Sequence, residues 1–197
     1  WFVGRHGIFG AKVDWLSQHS VLPDYFRQQF YRTGQFFPEF ALNIGGGQNI
    51  YNFSYYGLFS PVVLIGYLLP NVKMSDYMMV ASIVCLAAAV IILYRWLKSR
   101  EFTAAVSGMT ALMFLFAGPM IYQSSHQIMF VNYMPFLCLT FFGIDRYFEQ
   151  KKSDLLIGGT FLMIMTSFYF SIGGILALGL YGIYRYARTK ERAEEMI

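Results

Sequence analysis

Tyr77-Met-Met-Val-Ala-Ser-Ile-Val-Cys-Leu-Ala-Ala-Ala-Val-Ile-Ile-Leu-Tyr94 runs for eighteen residues without an Asp, Glu, Lys or Arg, and Arg95, Lys98 and Arg100 follow at once. A helix rises ~1.5 Å per residue, so about 20 apolar residues cross the ~30 Å hydrocarbon core of a bilayer. Extended slightly into its flanks, this stretch predicts a transmembrane helix. Residues 102–144 and 155–184 are equally free of the four charged types. Each window accommodates about two helices, which predicts an all-α polytopic integral membrane protein with about five spans. That count takes the last pair as short, or as extending into its charged flanks. The composition agrees. Of 197 residues 56% are hydrophobic and 19% aromatic, and only 13% are charged, about half the charged share of a soluble domain.

Ten of the fifteen Lys and Arg fall in three clusters: Arg95, Lys98, Arg100; Arg146, Lys151, Lys152; Arg185, Arg188, Lys190, Arg192. Basic residues gather on the cytoplasmic side of membrane proteins. The +4 formal charge and pI near 9.0 therefore orient the chain, and no nucleic-acid site is indicated. Helices over 77–97, 102–121, 128–144, about 154–170 and about 171–187 then alternate so that each inward one ends at a basic cluster. Everything before residue 77 starts outside. Cys85 and Cys138 fall within predicted spans and read as small apolar residues. Trp1 at one end and Glu194-Glu195-Met196-Ile197 at the other predict a fragment, with one helix before it and more after it.

The expected organisation is an external loop over 1–76, the spans over 77–187 and a charged cytoplasmic tail over 188–197. Gly57 to Pro70 is apolar but only 14 residues long, which suits a re-entrant or interfacial helix better than a span. Upstream, Pro23 and Asp24 suit the first turn of a helix and Gly34 its stop. Leu22, Phe26 and Phe30 form one stripe, and Asp24, Gln28 and Tyr31 another. This predicts an amphipathic helix on the membrane surface. Asn43-Ile44-Gly45-Gly46-Gly47-Gln48-Asn49 reads as an irregular loop. It lacks the Gly-Lys-Ser/Thr ending of a phosphate loop, and a turn explains it.

Only Asp14, Asp24, Glu39 and Asp76 are acids on the predicted outer side ahead of the first full span. Asp14, Ser17, Gln18 and His19 make the tightest polar group. An external carboxylate at the membrane boundary could deprotonate an acceptor hydroxyl or hold a divalent cation against a phosphate leaving group. It could equally be a hydrated loop acid, and Asp24 has a helix-terminal explanation. No second His or Cys stands at zinc-site spacing from His19, so no metal ligands are assigned. His126, with Gln123, Ser124, Ser125, Gln127, Asn132 and Tyr133, forms a polar knot. It is either the wet tip of a helical hairpin or a wall facing the Asp14 loop across one external cavity. Arg27 and Arg32 suit a phosphate clamp or contacts to anionic headgroups. Ser167-Phe168-Tyr169-Phe170-Ser171 suits the outer interface.

Val13-Asp14-Trp15-Leu16-Ser17-Gln18-His19 and Pro23-Asp24-Tyr25-Phe26-Arg27 resemble the first external loop of YfhO-family bacterial membrane proteins. The likeness continues through Ala41-Leu42-Asn43 with the triple glycine, Tyr55-Tyr56-Gly57, Ser60-Pro61 and Leu69-Pro70, and resumes at Met129–Phe136. Beyond about residue 137 it is a hydropathy pattern alone. The resemblance implies a GT-C type glycosyltransferase in a bacterial cell membrane, multi-pass, with its active site outside. Such an enzyme moves a hexosyl or N-acetylhexosaminyl unit from a polyprenyl-phosphate carrier to a cell-wall polymer such as lipoteichoic acid. Asp14 then occupies the place of the essential acid of the first external loop. Gln18, His19, Arg27, Arg32, Trp15, Tyr55, Tyr56, His126 and Asn132 become the expected substrate-binding residues. Many GT-C relatives carry a second acid in a later loop, where this chain has Asn132. That speaks against a two-carboxylate scheme and leaves the cofactor open, a divalent cation included. The rival classes are a flippase for a lipid-linked sugar and a cell-envelope assembly partner.

Overall fold

The computed structural model describes residues 10, 11, 14–41 and 43–194, with side chains through Thr189. Trp1, Val13, Leu42 and the terminal Glu195, Met196 and Ile197 lie outside the described residues, as do the side chains of Lys190 and Arg192.

Helices appear over every predicted apolar window. The first spans Met74–Ser99 (α3) and the third Ile128–Gln150 (α6), and both are long and apolar enough to cross a membrane. The second is broken into Ala104–Leu115 (α4) and Gly118–His126 (α5), which are bent by 45°. Pro119 opens α5; its ring collides with the carbonyl four residues back and it has no N–H to donate. The last pair is Asp154–Thr166 (α7) and Phe168–Glu194 (α8). Five spans are expected; among the described residues two helices are long and apolar enough to cross a membrane, or three if the bent pair counts as one. The thirteen residues of α7 rise only about 20 Å. The tail expected from residue 188 continues α8 as helix to Glu194.

α6 is the central element, packed on α3 and α7 and also touching α5 and α8. Ala89 of α3, Met134 and Cys138 of α6, Met163 of α7 and Leu178 of α8 share its core. Gly143 lets α7 approach closely, since a Cβ there would lie 2.6 Å from the Leu156 backbone nitrogen. Arg100, Arg146 and Arg185, one from each basic cluster, form ion pairs at one end of this bundle. Asp145, 4% exposed, pairs with Arg185 at 2.7 Å and Arg100 at 3.7 Å, and Glu149 accepts from both arginines. Trp96 Nε1 and the Tyr181 hydroxyl donate to the same Asp145 carboxylate, each at 2.7 Å.

The segment before α3 folds onto the opposite end. One π-helical turn, Trp15–His19, leads into the helix Val21–Thr33 (α1), which Gly34 ends in the left-handed conformation at φ 74°. The Gly45–Gly47 tip, with φ of 60°, 79° and 96°, turns the chain between the short strands Phe40–Ala41 (β1) and Gln48–Asn49 (β2). A 3₁₀ helix, Ile50–Tyr56, and a six-residue helix, Pro61–Gly66 (α2), complete the segment. The 57–70 stretch is therefore a short helix and turns, not a span.

One expectation for α1 is corrected. Its Leu22, Phe26 and Phe30 stripe packs with Ile50, Leu58, Tyr67, Met74 and Met129, so that face is covered by protein, because the rest of the segment supplies an apolar floor. Asp24 sits in the first turn as expected, and its carboxylate accepts from Arg27 at 3.0 Å and Gln28 at 2.7 Å.

Candidate active site

Asp14 immediately precedes the π-helical turn and is half-buried. Single π-helical turns recur at functional sites because the extra residue re-aims a side chain. Across the fold, α5 ends at His126 and α6 begins at Ile128, leaving Gln127 at the junction. Ala11 N–H donates to the Ser125 carbonyl at 2.8 Å, tying the two regions by their backbones.

Gln127 is the hub. Its Nε2 donates to Asp14 Oδ2 at 2.9 Å, and its Oε1 accepts from the Tyr55 hydroxyl and from His19 Nε2, both at 3.1 Å. These contacts fix the protonation pattern. A carboxylate only accepts, so the amide nitrogen must face Asp14 and the amide oxygen must face His19 and Tyr55. Both neighbours must then donate, which places the imidazole proton on Nε2. His19 Nδ1 is left as a buried lone pair with no partner among the described residues. Burial pushes the His19 pKa below its ordinary 6.5, against the opposing Gln127 hydrogen bond and Asp14 charge. Burial also raises the Tyr55 phenol, helped by Tyr169, Tyr56 and Asp14, so Tyr55 remains a donor. Among the described residues Asp14 Oδ1 has no partner; it is the oxygen free to meet a ligand.

Aromatic rings surround this polar core. Tyr55 meets Tyr56, Tyr169 and Phe168 edge-on at 5.1, 5.8 and 6.4 Å, so the Phe168–Phe170 tip joins the cluster. The Tyr56 ring lies 5.8 Å from His19.

The other expected site residues are placed differently. Trp15 is 3% exposed and belongs to the core. Gln18 is half-buried and outside the Gln127 network. Arg27 is turned inward, with Nη1 on the Leu69 and Val72 carbonyls and Nη2 on Asp24, so it fastens α1 to the turn before α3. Arg32 is exposed and unpaired among the described residues. His126 stacks on Tyr122 at 3.9 Å and bonds the Tyr122 carbonyl and the Ser125 hydroxyl. Asn132 is buried between α6 and α3, where its Oδ1 accepts from Ser82 at 3.1 Å. The polar knot does meet the Asp14 loop, but through Gln127, which the sequence marked only as one member of the knot. No three His, Cys, Asp or Glu side chains converge among the described residues. The described neighbours of Asp14 are an amide, phenols and an imidazole.

A family model described as bacterial membrane protein YfhO matches residues 5–197. The chain belongs to the YfhO family. No curated protein and no solved structure matches it. In this YfhO-family chain, then, the acid-bearing segment and the apolar helices are parts of one membrane protein, and Asp14 and Gln127 sit where the two meet.

Proposed function

We propose that this chain forms the acid-bearing part of a GT-C type glycosyltransferase that moves a sugar from a polyprenyl-phosphate carrier to an extracytoplasmic cell-wall polymer such as lipoteichoic acid. The observation that carries the reading is the Asp14 carboxylate, held through Oδ2 by Gln127 and open at Oδ1 among the described residues. A carboxylate fixed on one oxygen and free on the other suits a general base. Gln127 and Asp145 stand eighteen positions apart along α6, or about 27 Å. The Asp14 cluster and the basic clusters thus mark opposite ends of the bundle, and basic residues favour the cytoplasm. That supports an external site.

In this scheme the acceptor hydroxyl gives its proton to Asp14 Oδ1 as its oxygen bonds the anomeric carbon. The bond from that carbon to the carrier phosphate breaks, and the phosphate leaves with the electron pair. One displacement inverts the carbon through an oxocarbenium-like transition state. Tyr55 and Tyr56 flank the sugar. Arg27 has both terminal nitrogens engaged, so exposed Arg32 is the arginine of the pair left to meet a phosphate.

The test is sugar transfer by the full-length protein in membranes supplied with labelled polyprenyl-phosphate sugar. Wild type should label polymer, and Asp14→Asn at equal expression should not. Retained transfer by Asp14→Asn removes the base assignment. Absence of transfer by wild type, with carrier moved across the bilayer, establishes the flippase instead.

A further inference from the structure

A second polar feature lies on the other flank of α1. An open groove of ≈ 640 Å³ runs between α1 and the chain entering α3, with Asp24, Gln28 and Tyr31 on one wall and Asn71, Lys73 and Ser75 on the other. Neither Asp14, Gln127 nor Tyr55 lines it.

The groove is built and held open by its own contacts. Arg27, 7% exposed, bonds the Leu69 and Val72 carbonyls at 3.0 and 2.7 Å and so fixes the spacing of the walls. Arg27 and Gln28 each bond one oxygen of Asp24, which sets the carboxylate plane and leaves each oxygen a second lone pair. The Tyr31 hydroxyl donates to the Tyr67 carbonyl, which immobilises a ring still 52% exposed. Facing these, the Asn71, Lys73 and Ser75 side chains have no partner among the described residues.

The ligand class follows from the group types. Asp24 accepts; Lys73 donates; Gln28, Asn71 and Ser75 do both. Such alternating donors and acceptors match vicinal hydroxyls, each of which is itself donor and acceptor. The charges of Asp24 and Arg27 cancel, leaving a single lysine, so the groove is not an anion trap. A fixed, exposed aromatic ring offers an apolar platform of the kind a pyranose C–H face covers. Preorganised walls avoid ordering costs on binding.

We infer that this groove binds a neutral carbohydrate unit, and it serves the acceptor glycan in so far as the transferase reading holds. Binding itself does not depend on that reading. The probe is a set of methyl glycosides of hexoses and N-acetylhexosamines, observed by saturation-transfer NMR on the full-length protein in nanodiscs. Wild type should bind at least one of them, and Asp14→Asn should bind it equally. Gln28→Ala, Asn71→Ala and Tyr31→Ala should each weaken it by about tenfold, the loss of one good contact. Tyr31→Phe keeps the ring and should retain most of the affinity, and thermal melting reports folding of each variant. Unchanged affinity in folded Gln28→Ala and Asn71→Ala, or no glycoside binding by wild type, overturns the inference. So does displacement of the glycoside by equimolar inorganic phosphate, which would mark an anion site. Loss of transfer in Asp14→Asn, with full transfer in groove variants that no longer bind the glycoside, would overturn the acceptor role of the groove and leave the transferase standing.

Discussion

Gln127 Nε2 reaches Asp14 Oδ2 at 2.9 Å across 113 positions of sequence, joining the first polar turn to the start of the central helix. The bond decides which way the amide points, and through it the tautomer of His19 and the role of Tyr55.

Gln127→Ala should cut the transfer rate about 10- to 100-fold, since a hydrogen bond to a charged group contributes roughly 1.5–3 kcal/mol. Gln127→Glu should do worse at neutral pH by setting a second carboxylate against Asp14. The comparison is kcat at equal membrane expression. An unchanged kcat in both variants would release Asp14 from any dependence on this contact.

The depressed pKa of His19 gives stability a definite slope. The unfolded chain takes up a proton near pH 6.5, while the folded imidazole resists it until a lower pH. Between those two values the unfolded state binds more protons, so stability falls as the solution is acidified. Above pH 6.5 the contribution is fully present. His19→Gln, which can still donate to the Gln127 oxygen, should flatten this part of the profile. Melting temperatures measured from pH 7.5 to 5 will show it; a parallel profile in the variant would refute the assignment.

At the far end of α6, Asp145 and Arg185 are only 5% and 9% exposed in their side chains. Asp145→Ala leaves Arg185 buried without its nearest carboxylate and should destabilise by about 3–5 kcal/mol. A double variant, Asp145→Leu with Arg185→Leu, should recover much of that loss. Resistance to detergent-induced unfolding measures both.

Gly143→Ala should separate α6 from α7. Its Cβ meets Leu156 backbone atoms at 2.6 and 2.7 Å, and backbone cannot rotate aside as a side chain can. The expected cost is about 1–3 kcal/mol. Gly158→Ala, with nothing within 4 Å, should be neutral or slightly stabilising. Equal melting temperatures for the two variants would contradict the packing described.

The sequence made the helices easy to find, because charge-free windows bounded by basic clusters leave few alternatives. Their completeness as spans was harder to read. Hydropathy sums over 102–121 without registering that Pro119 breaks the helix. The segment before α3 was legible in its local devices: Pro23, Asp24, Gly34 and the triple glycine sit where turn and terminus chemistry puts them. What its apolar stripe covers was not legible, since an amphipathic helix buries the same face in lipid or in protein. At the site, Asp14 stood out as a rare acid among aromatics. Gln127 did not, because a neutral amide gains meaning only from what faces it, and a pairing across 113 positions leaves no local trace. The buried role of Arg27 was hidden for the same reason, its partners being carbonyls at Leu69 and Val72.

Ile128 and Met129, the two residues after Gln127, are fully buried in the core that holds Trp15, Phe26 and Ile50. The loop is therefore not a transplantable module. Excised or grafted onto another bundle, it would bring its acid but lose both the side chain that aims it and the floor it rests on. Swaps between relatives should preserve the active geometry only when the start of α6 travels with the loop.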